Sequence, residues 1–215
     1  MSSYQGVIFD LDGVLVSTDD CHYRAWKQLA DREKIPFTRE DNERLRGVSR
    51  MESLEIVLEK ASRVYTEAEK EEMASCKNAI YRTLLEELTA DDLLPGVPEL
   101  LDALRKRGLL LAVGSSSKNT PLILEKIGLA NYFDAVADGN QIQHSKPDPE
   151  VFLLAAKLLN LEPGRCIVVE DAAAGIAAAV AAGQKPVAVG SAQGCPGAAY
   201  SVPNLAAVEL ERFLA

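Results

Sequence analysis

One stretch near the amino end constrains this chain more than any other: Val7-Ile8-Phe9-Asp10-Leu11-Asp12-Gly13-Val14-Leu15. Three apolar residues, two of them β-branched, read as a short buried strand. Two aspartates follow, two positions apart. If the backbone stays extended, residues i and i+2 point to the same side, so Asp10 and Asp12 converge at the strand's carboxyl end. Gly13 then supplies the positive φ that a tight exit requires. Two carboxylates that close repel, and one pKa rises unless a cation sits between them. The pair reads as a metal site, as an acid–base pair, or as a nucleophile beside an acid–base. The plainer reading is a turn with solvated aspartates. The apolar residues on both sides argue against it.

The rest of the chain is organised around that strand. From about Thr18 to Asp92 the pattern is helical, with no convincing strand. His22 to Ala30 carries apolar residues at helical spacing. Capping boxes begin at Thr38, Ser49 and Thr66, the last opening an amphipathic helix towards Leu88. Leu94-Pro95-Gly96 breaks this pattern. Strands and helices then alternate: a helix from Pro98 to Lys106, a strand from Leu109 to Val113, a helix capped by Asn119, and the strand Ala135 to Ala137. Next come a helix opened by Asp148-Pro149-Glu150, the strand Cys166 to Val169, a helix to Ala182, and the strand Pro186 to Val189. Alternation of this kind makes a parallel sheet covered on both faces. The expected fold is α/β: a doubly wound, Rossmann-like parallel sheet built from residues 1–16 and 93–215, with an α-helical cap inserted at 17–92. Gly190 to Val202 shows no pattern, and Gly194-Cys195-Pro196-Gly197 reads as a surface loop.

A length of 215 residues suits one α/β domain with a sizeable insert. A formal net charge of −9 argues against nucleic acid and anionic membranes as partners. No apolar stretch is long enough to cross a bilayer. Cys21, Cys76, Cys166 and Cys195 form no Cys-x-x-Cys motif, which points to reduced thiols in a cytoplasmic protein. The amino end shows no basic-then-apolar leader.

In doubly wound sheets, ligands bind beyond the carboxyl ends of the strands. After the first strand come Asp10 and Asp12. After the second come Ser115-Ser116-Ser117-Lys118-Asn119. After the third comes a loop with His144-Ser145-Lys146-Pro147-Asp148, and after the fourth come Glu170 and Asp171. Hard oxygen ligands suit a divalent cation. A lysine and hydroxyls suit a phosphoryl group. A carboxylate can serve as nucleophile, and a second acid can move the proton. Taken singly, each piece has a plainer reading as a loop, an exposed lysine or a helix N-terminus. Their common position after successive strands carries the weight.

These motifs resemble those of the haloacid dehalogenase-like hydrolase superfamily. Asp10-Leu11-Asp12-Gly13-Val14 is similar to its first motif, Ser115 to its second, Lys146-Pro147 to its third and Glu170-Asp171 to its fourth. A narrower resemblance is to the β-phosphoglucomutases within it. That one rests on Thr18, His22 to Lys27, Leu45-Arg46-Gly47-Val48-Ser49-Arg50, Leu54, Lys77-Asn78 and Ser115 to Asn119. It implies Asp10 as nucleophile and Asp12 as general acid–base. It implies Mg²⁺ held by Asp10, the Asp12 backbone carbonyl, Glu170 and Asp171. Ser115 and Lys146 would hold the transferring phosphoryl group, and Arg50 the distal phosphate. Trp26, Arg46, Gly47, Leu54, Lys77, Ser116, Ser117, Lys118 and Asn119 would line the sugar site. His22 would help position Asp12, and Thr18 would lie at the hinge. Arg46 stands where lysine is common, so a planar fork replaces a compact ammonium.

The implied activity converts β-glucose 1-phosphate into glucose 6-phosphate through phospho-Asp10, with glucose 1,6-bisphosphate as intermediate and activator. A mutase must exclude water, which calls for a closing cap with hinges near Leu15 to Thr18 and Leu94 to Gly96. The alternatives are a sugar-phosphate phosphatase with the same core and a non-catalytic sugar-phosphate-binding protein. A monomer is expected, since a mobile cap needs no partner.

Overall fold

The computed structural model describes residues 4–46 and 48–215. The chain divides into two compact units, 1–17 with 89–215 and 18–88. The first unit therefore also takes residues 17 and 89–92, which the sequence pattern assigns to the insert. Their local bonds explain this: Val16 pairs antiparallel with Leu93, and the Leu94 amide donates to the Leu15 carbonyl at 2.9 Å.

The larger unit is a six-stranded sheet in the order β3-β2-β1-β4-β5-β6. Its strands are β1 (Gly6–Phe9), β2 (Leu110–Gly114), β3 (Ala135–Ala137), β4 (Cys166–Glu170), β5 (Lys185–Val189) and β6 (Tyr200–Val202). Every pairing is parallel. Val7, Ile8 and Phe9 alternate between faces, yet each is fully buried, so both faces are covered. This explains why β1 reads as a continuous apolar run. On one face Ile8, Ala112 and Val168 pack with Val151, Phe152 and Ala155 of α7 (Glu150–Leu158) and with Ala178 and Ala179 of α8 (Ala173–Ala181). Full burial of one such Ile or Phe side chain contributes about 1.5–3 kcal/mol. The other α-helices described in this unit are α5 (Val97–Lys106), α6 (Thr120–Lys126) and the terminal turn α9 (Leu210–Phe213).

β6 is absent from the sequence reading, which left 190–202 unpatterned. It is a three-residue edge strand, too short to display a period. The exposed Gly194, Pro196 and Gly197 ahead of it do form a surface loop. Asn119 sits at the cap position of α6 but makes no side-chain cap bond; its own amide donates to Ser117 Oγ at 3.2 Å. Pro149 takes the cap position of α7, where Asp148 Oδ1 accepts from the Glu150 amide at 2.9 Å.

The smaller unit is all helical: α1 (Asp19–Arg32), α2 (Arg39–Glu43), α3 (Arg50–Leu58) and α4 (Glu67–Leu85). Each of the capping boxes at Thr38, Ser49 and Thr66 is formed in both directions. They satisfy amide groups that a helix start otherwise leaves unpaired. α4 stops at Leu85, short of the expected Leu88. Leu29, Ala30, Ile35, Phe37, Val57 and Met73 build this unit's own core.

Candidate active site

The parallel registers bring the chemistry to one end of the sheet. Phe9 pairs with Val113 on one side and Val169 on the other. Asp10 therefore emerges beside Gly114-Ser115 and beside Glu170. The chain leaves β1 to build one side of the sheet and crosses back to build the other. Its β1/β4 seam is thus a topological switch point.

Asp10, Glu170 and Asp171 are all buried and offer carboxylate oxygens within 4.8 Å of one another. Lys146 is buried among them and follows the same end of the sheet. Its ammonium donates to Asp10 Oδ1 and, at 2.7 Å, to Glu170 Oε2. The Glu170 Oε1 atom accepts from the amides of Asp171 (3.0 Å) and Ala172 (3.1 Å). Burial pushes the Asp10 carboxyl well above the usual range; Lys146 opposes the shift, while Glu170 and Asp171 add to it. Burial alone would make Lys146 easier to deprotonate. The Asp10 and Glu170 charges outweigh it and hold the ammonium charged.

Asp12 is half-buried, and its backbone bridges to Val16. Like charges acting on Asp10 come from Glu170 and Asp171. The crowding around Asp10 thus includes two acids from across the β1/β4 seam. Gly13 does take a positive φ, +86°, and a Cβ there would run into the Asp171 carboxylate.

Beyond β2 the serines form a ladder of short bonds. The Ser115 amide donates to the Ala137 carbonyl at 3.0 Å, and Ser115 Oγ accepts from the Ser117 amide at 3.1 Å. Ser116 Oγ is buried with no hydrogen-bond partner among the described residues. Lys118 is exposed, and its carbonyl accepts from Asn140 Nδ2 at 3.1 Å. His144, which the sequence left without a role, contacts Glu150 through its amide and Nδ1. Ser191, in the stretch without pattern, donates to the Asp171 carbonyl at 2.8 Å.

The helical unit holds the remaining expected residues. Lys77 is 2% exposed, and its ammonium lies 2.8 Å from His22 Nδ1. Burial, followed by the charges of Lys77 and Arg50, holds His22 well below the usual imidazole range. Trp26 and Leu54 are buried in the unit's apolar cluster, and Trp26 also faces the Lys77 ammonium at 4.7 Å. Thr18 is fully buried, with its hydroxyl 2.8 Å from that of Tyr81. Arg50 opens α3 half-buried, and burial makes its guanidinium easier to deprotonate than usual. Arg46 is engaged by Asp19 (3.1 Å) and Glu43 (2.9 Å), so its charge has local acid partners. Gly47 lies outside the described residues. Asp19, Glu43 and Tyr81 are the partners the sequence reading missed. Only their helical spacing pointed to them, and it points equally to ordinary packing.

The sequence profile of the haloacid dehalogenase-like hydrolases matches residues 4–183. The chain belongs to this family. It is 43% identical to the β-phosphoglucomutase of Bacillus subtilis (strain 168), over 96% of this chain and 92% of the relative. It is 33% identical to the phosphorylated carbohydrates phosphatase of Thermotoga maritima, over 83% of this chain and 82% of the relative. Among solved structures, a β-phosphoglucomutase from Clostridium difficile superposes with a TM-score of 0.92 at 38% identity, covering 98% of this chain and 97% of the other. This haloacid dehalogenase-like chain is therefore an enzyme and a homologue of the β-phosphoglucomutases.

The acids of this family member fit a divalent cation. The donors are hard oxygens, they are buried, and Lys146 pairs with two of the three carboxylates. Both Glu170 oxygens accept hydrogen bonds, one from Lys146 and the other from two backbone amides. Among the described residues, no helix is long and apolar enough to cross a membrane.

Proposed function

We propose that the protein is a Mg²⁺-dependent phosphosugar mutase acting on β-D-glucose 1-phosphate. The observation that carries this reading is the set of cations built into the helical unit: buried Lys77 against His22, and half-buried Arg50. A phosphatase needs the acids at the sheet end and an attacking water. A mutase must also hold a sugar whose second phosphate lies far from the reacting one. Extra cations serve that need. The similarity to the Bacillus β-phosphoglucomutase spans the helical insert as well as the sheet unit and supports the same choice.

In this reading Asp10 carries the phosphoryl group. The sugar 6-hydroxyl attacks phospho-Asp10, its proton passes to the Asp12 carboxylate, and the bond from phosphorus to the Asp10 oxygen breaks. The resulting 1,6-bisphosphate turns over. Asp10 then takes the phosphoryl group from the 1-oxygen, and Asp12 returns the proton to that oxygen. Glucose 6-phosphate leaves, and phospho-Asp10 is restored. Lys146 opposes the burial that favours the protonated form of Asp10. Ser115 and Ser116 lie after β2, where the Ser116 hydroxyl has a hydrogen bond to give. Mg²⁺ held by Asp10, the Asp12 carbonyl, Glu170 and Asp171 would offset charge on the transferring group.

A product assay decides between the readings. Purified protein is given Mg²⁺, β-glucose 1-phosphate and a trace of glucose 1,6-bisphosphate. Glucose 6-phosphate with little free phosphate is the mutase result. Predominant free phosphate makes the protein a sugar-phosphate phosphatase. The Thermotoga relative keeps that second reading in play. No turnover of either kind, with sugar phosphate still bound, would leave a binding protein.

A further inference from the structure

The helical unit contains a residue that no motif singles out. Tyr81 lies on α4 one turn beyond Lys77, so the two share a helix face. Thr18, His22 and Trp26 form the matching column on and just before α1, each four residues from the next. The two columns interlock. The Tyr81 ring lies against the His22 imidazole, with centroids 4.1 Å apart and planes at 34°. Its face looks onto the Lys77 ammonium at 4.5 Å, and its hydroxyl is 2.8 Å from Thr18 Oγ1. The residue is 1% exposed. Its ring and hydroxyl are thus set on an imidazole, an ammonium and a hydroxyl.

We propose that Tyr81 is a positioning residue for phosphoryl transfer: its ring, set by the bond to Thr18, holds the His22 imidazole with Nδ1 facing the Lys77 ammonium. The ammonium has only protons to give, so Nδ1 accepts and the ring proton of neutral His22 resides on Nε2. The rings of Tyr81 and Trp26 replace part of the water the buried ammonium has lost. Without Tyr81 one face of the imidazole has no wall, and the ring can turn away from Lys77. The inference deepens the mutase reading and rests on it for the reaction concerned, but not for the geometry.

The test is nitrogen NMR of the imidazoles together with steady-state kinetics, on the wild type, Tyr81→Phe and Tyr81→Leu. The chain has two histidines, so assignment takes a single variant of His144. The expected wild-type spectrum shows His22 as one Nε2–H tautomer. Tyr81→Leu shifts it to a mixture and lowers kcat on the order of 10²-fold, with a smaller change in KM. Tyr81→Phe keeps the ring but loses the bond to Thr18, so the His22 Nδ1 resonance shifts and kcat falls by less than in Tyr81→Leu, a change that a purely space-filling role does not produce. A folded Tyr81→Leu with the wild-type tautomer overturns the proposal, whether or not kcat falls. If Tyr81→Leu does not fold, Tyr81→Phe carries the test through its hydroxyl: an unshifted His22 Nδ1 resonance with unchanged kcat overturns it. Should the wild type release free phosphate, the mutase reading fails, while the tautomer comparison still decides the role of Tyr81.

Discussion

Gly175 lies so close to the Glu170 carboxylate that a Cβ on it would overlap the Glu170 side chain. That carboxylate cannot swing aside. It is 1% exposed, bonded to Lys146 on one oxygen and to two backbone amides on the other. Two effects of Gly175→Ala therefore compete. Alanine is the better helix former by about 0.8–1.0 kcal/mol. Overpacking a site that cannot relax costs about 1–3 kcal/mol. The clash is expected to win, so thermal denaturation should show a lower Tm. The rate should fall as well, because moving Glu170 moves Lys146 away from Asp10. A Tm at or above the wild type would mean that Glu170 yields more easily than its bonds imply.

The same relationship shows what sequence reading reaches. β1 and β4 were legible because strands buried on both faces are written as unbroken apolar runs, Val7 to Phe9 and Cys166 to Val169. The acids after them were legible because strand ends are where a doubly wound sheet places ligands. β6 was not, since Tyr200-Ser201-Val202 pairs only with β5 at the sheet edge and carries no period. The crowding around Asp10 comes in part from Glu170 and Asp171 across the ladder, which local spacing does not spell out. Tyr81 was invisible for a related reason: an aromatic at helical spacing is the signature of any helix core.

Lys146 faces two buried carboxylates, so Lys146→Met keeps the length of the side chain and removes the charge that balances them. Breaking a buried ion pair from one side costs about 3–5 kcal/mol. In a chelating buffer the variant should melt well below the wild type. Added Mg²⁺ should then raise its Tm more than that of the wild type, because Asp10 and Glu170 have lost the ammonium that pairs with both. Equal responses to Mg²⁺ in the two proteins would count against a cation at Asp10, Glu170 and Asp171.

Thr66→Ala separates stability from activity. Thr66 Oγ1 accepts from the Glu69 amide at 3.3 Å, and the Glu69 carboxylate accepts from the Thr66 amide at 2.7 Å. Loss of such a cap costs about 1 kcal/mol, or about 2–4 °C in Tm for a chain of this size. Turnover should be unchanged at temperatures where the variant stays folded. The bonds from Thr66 and Arg63 hold the Glu69 carboxyl at about 2. The box should therefore survive mild acid, and its contribution should fade only as pH falls from the ordinary carboxylate range towards that value.

His22 gives the clearest dependence on pH. Burial lowers its pKa most, and the charges of Lys77 and Arg50 lower it further, while Tyr81 and Thr18 close the space around it. A folded pKa below the unfolded one means that the fold favours neutral imidazole. The resulting stability is full above the unfolded value of about 6.5. It is lost as pH falls from there through the lowered folded pKa. An NMR titration should thus find the His22 midpoint below the ordinary imidazole value of about 6.5. Lys77→Met removes the second-largest cause and leaves the first, so the midpoint should rise but stay below about 6.5. A wild-type midpoint at the ordinary imidazole value would show that His22 is solvated in solution, and the Lys77 contact would then have to be abandoned as a feature of the resting enzyme.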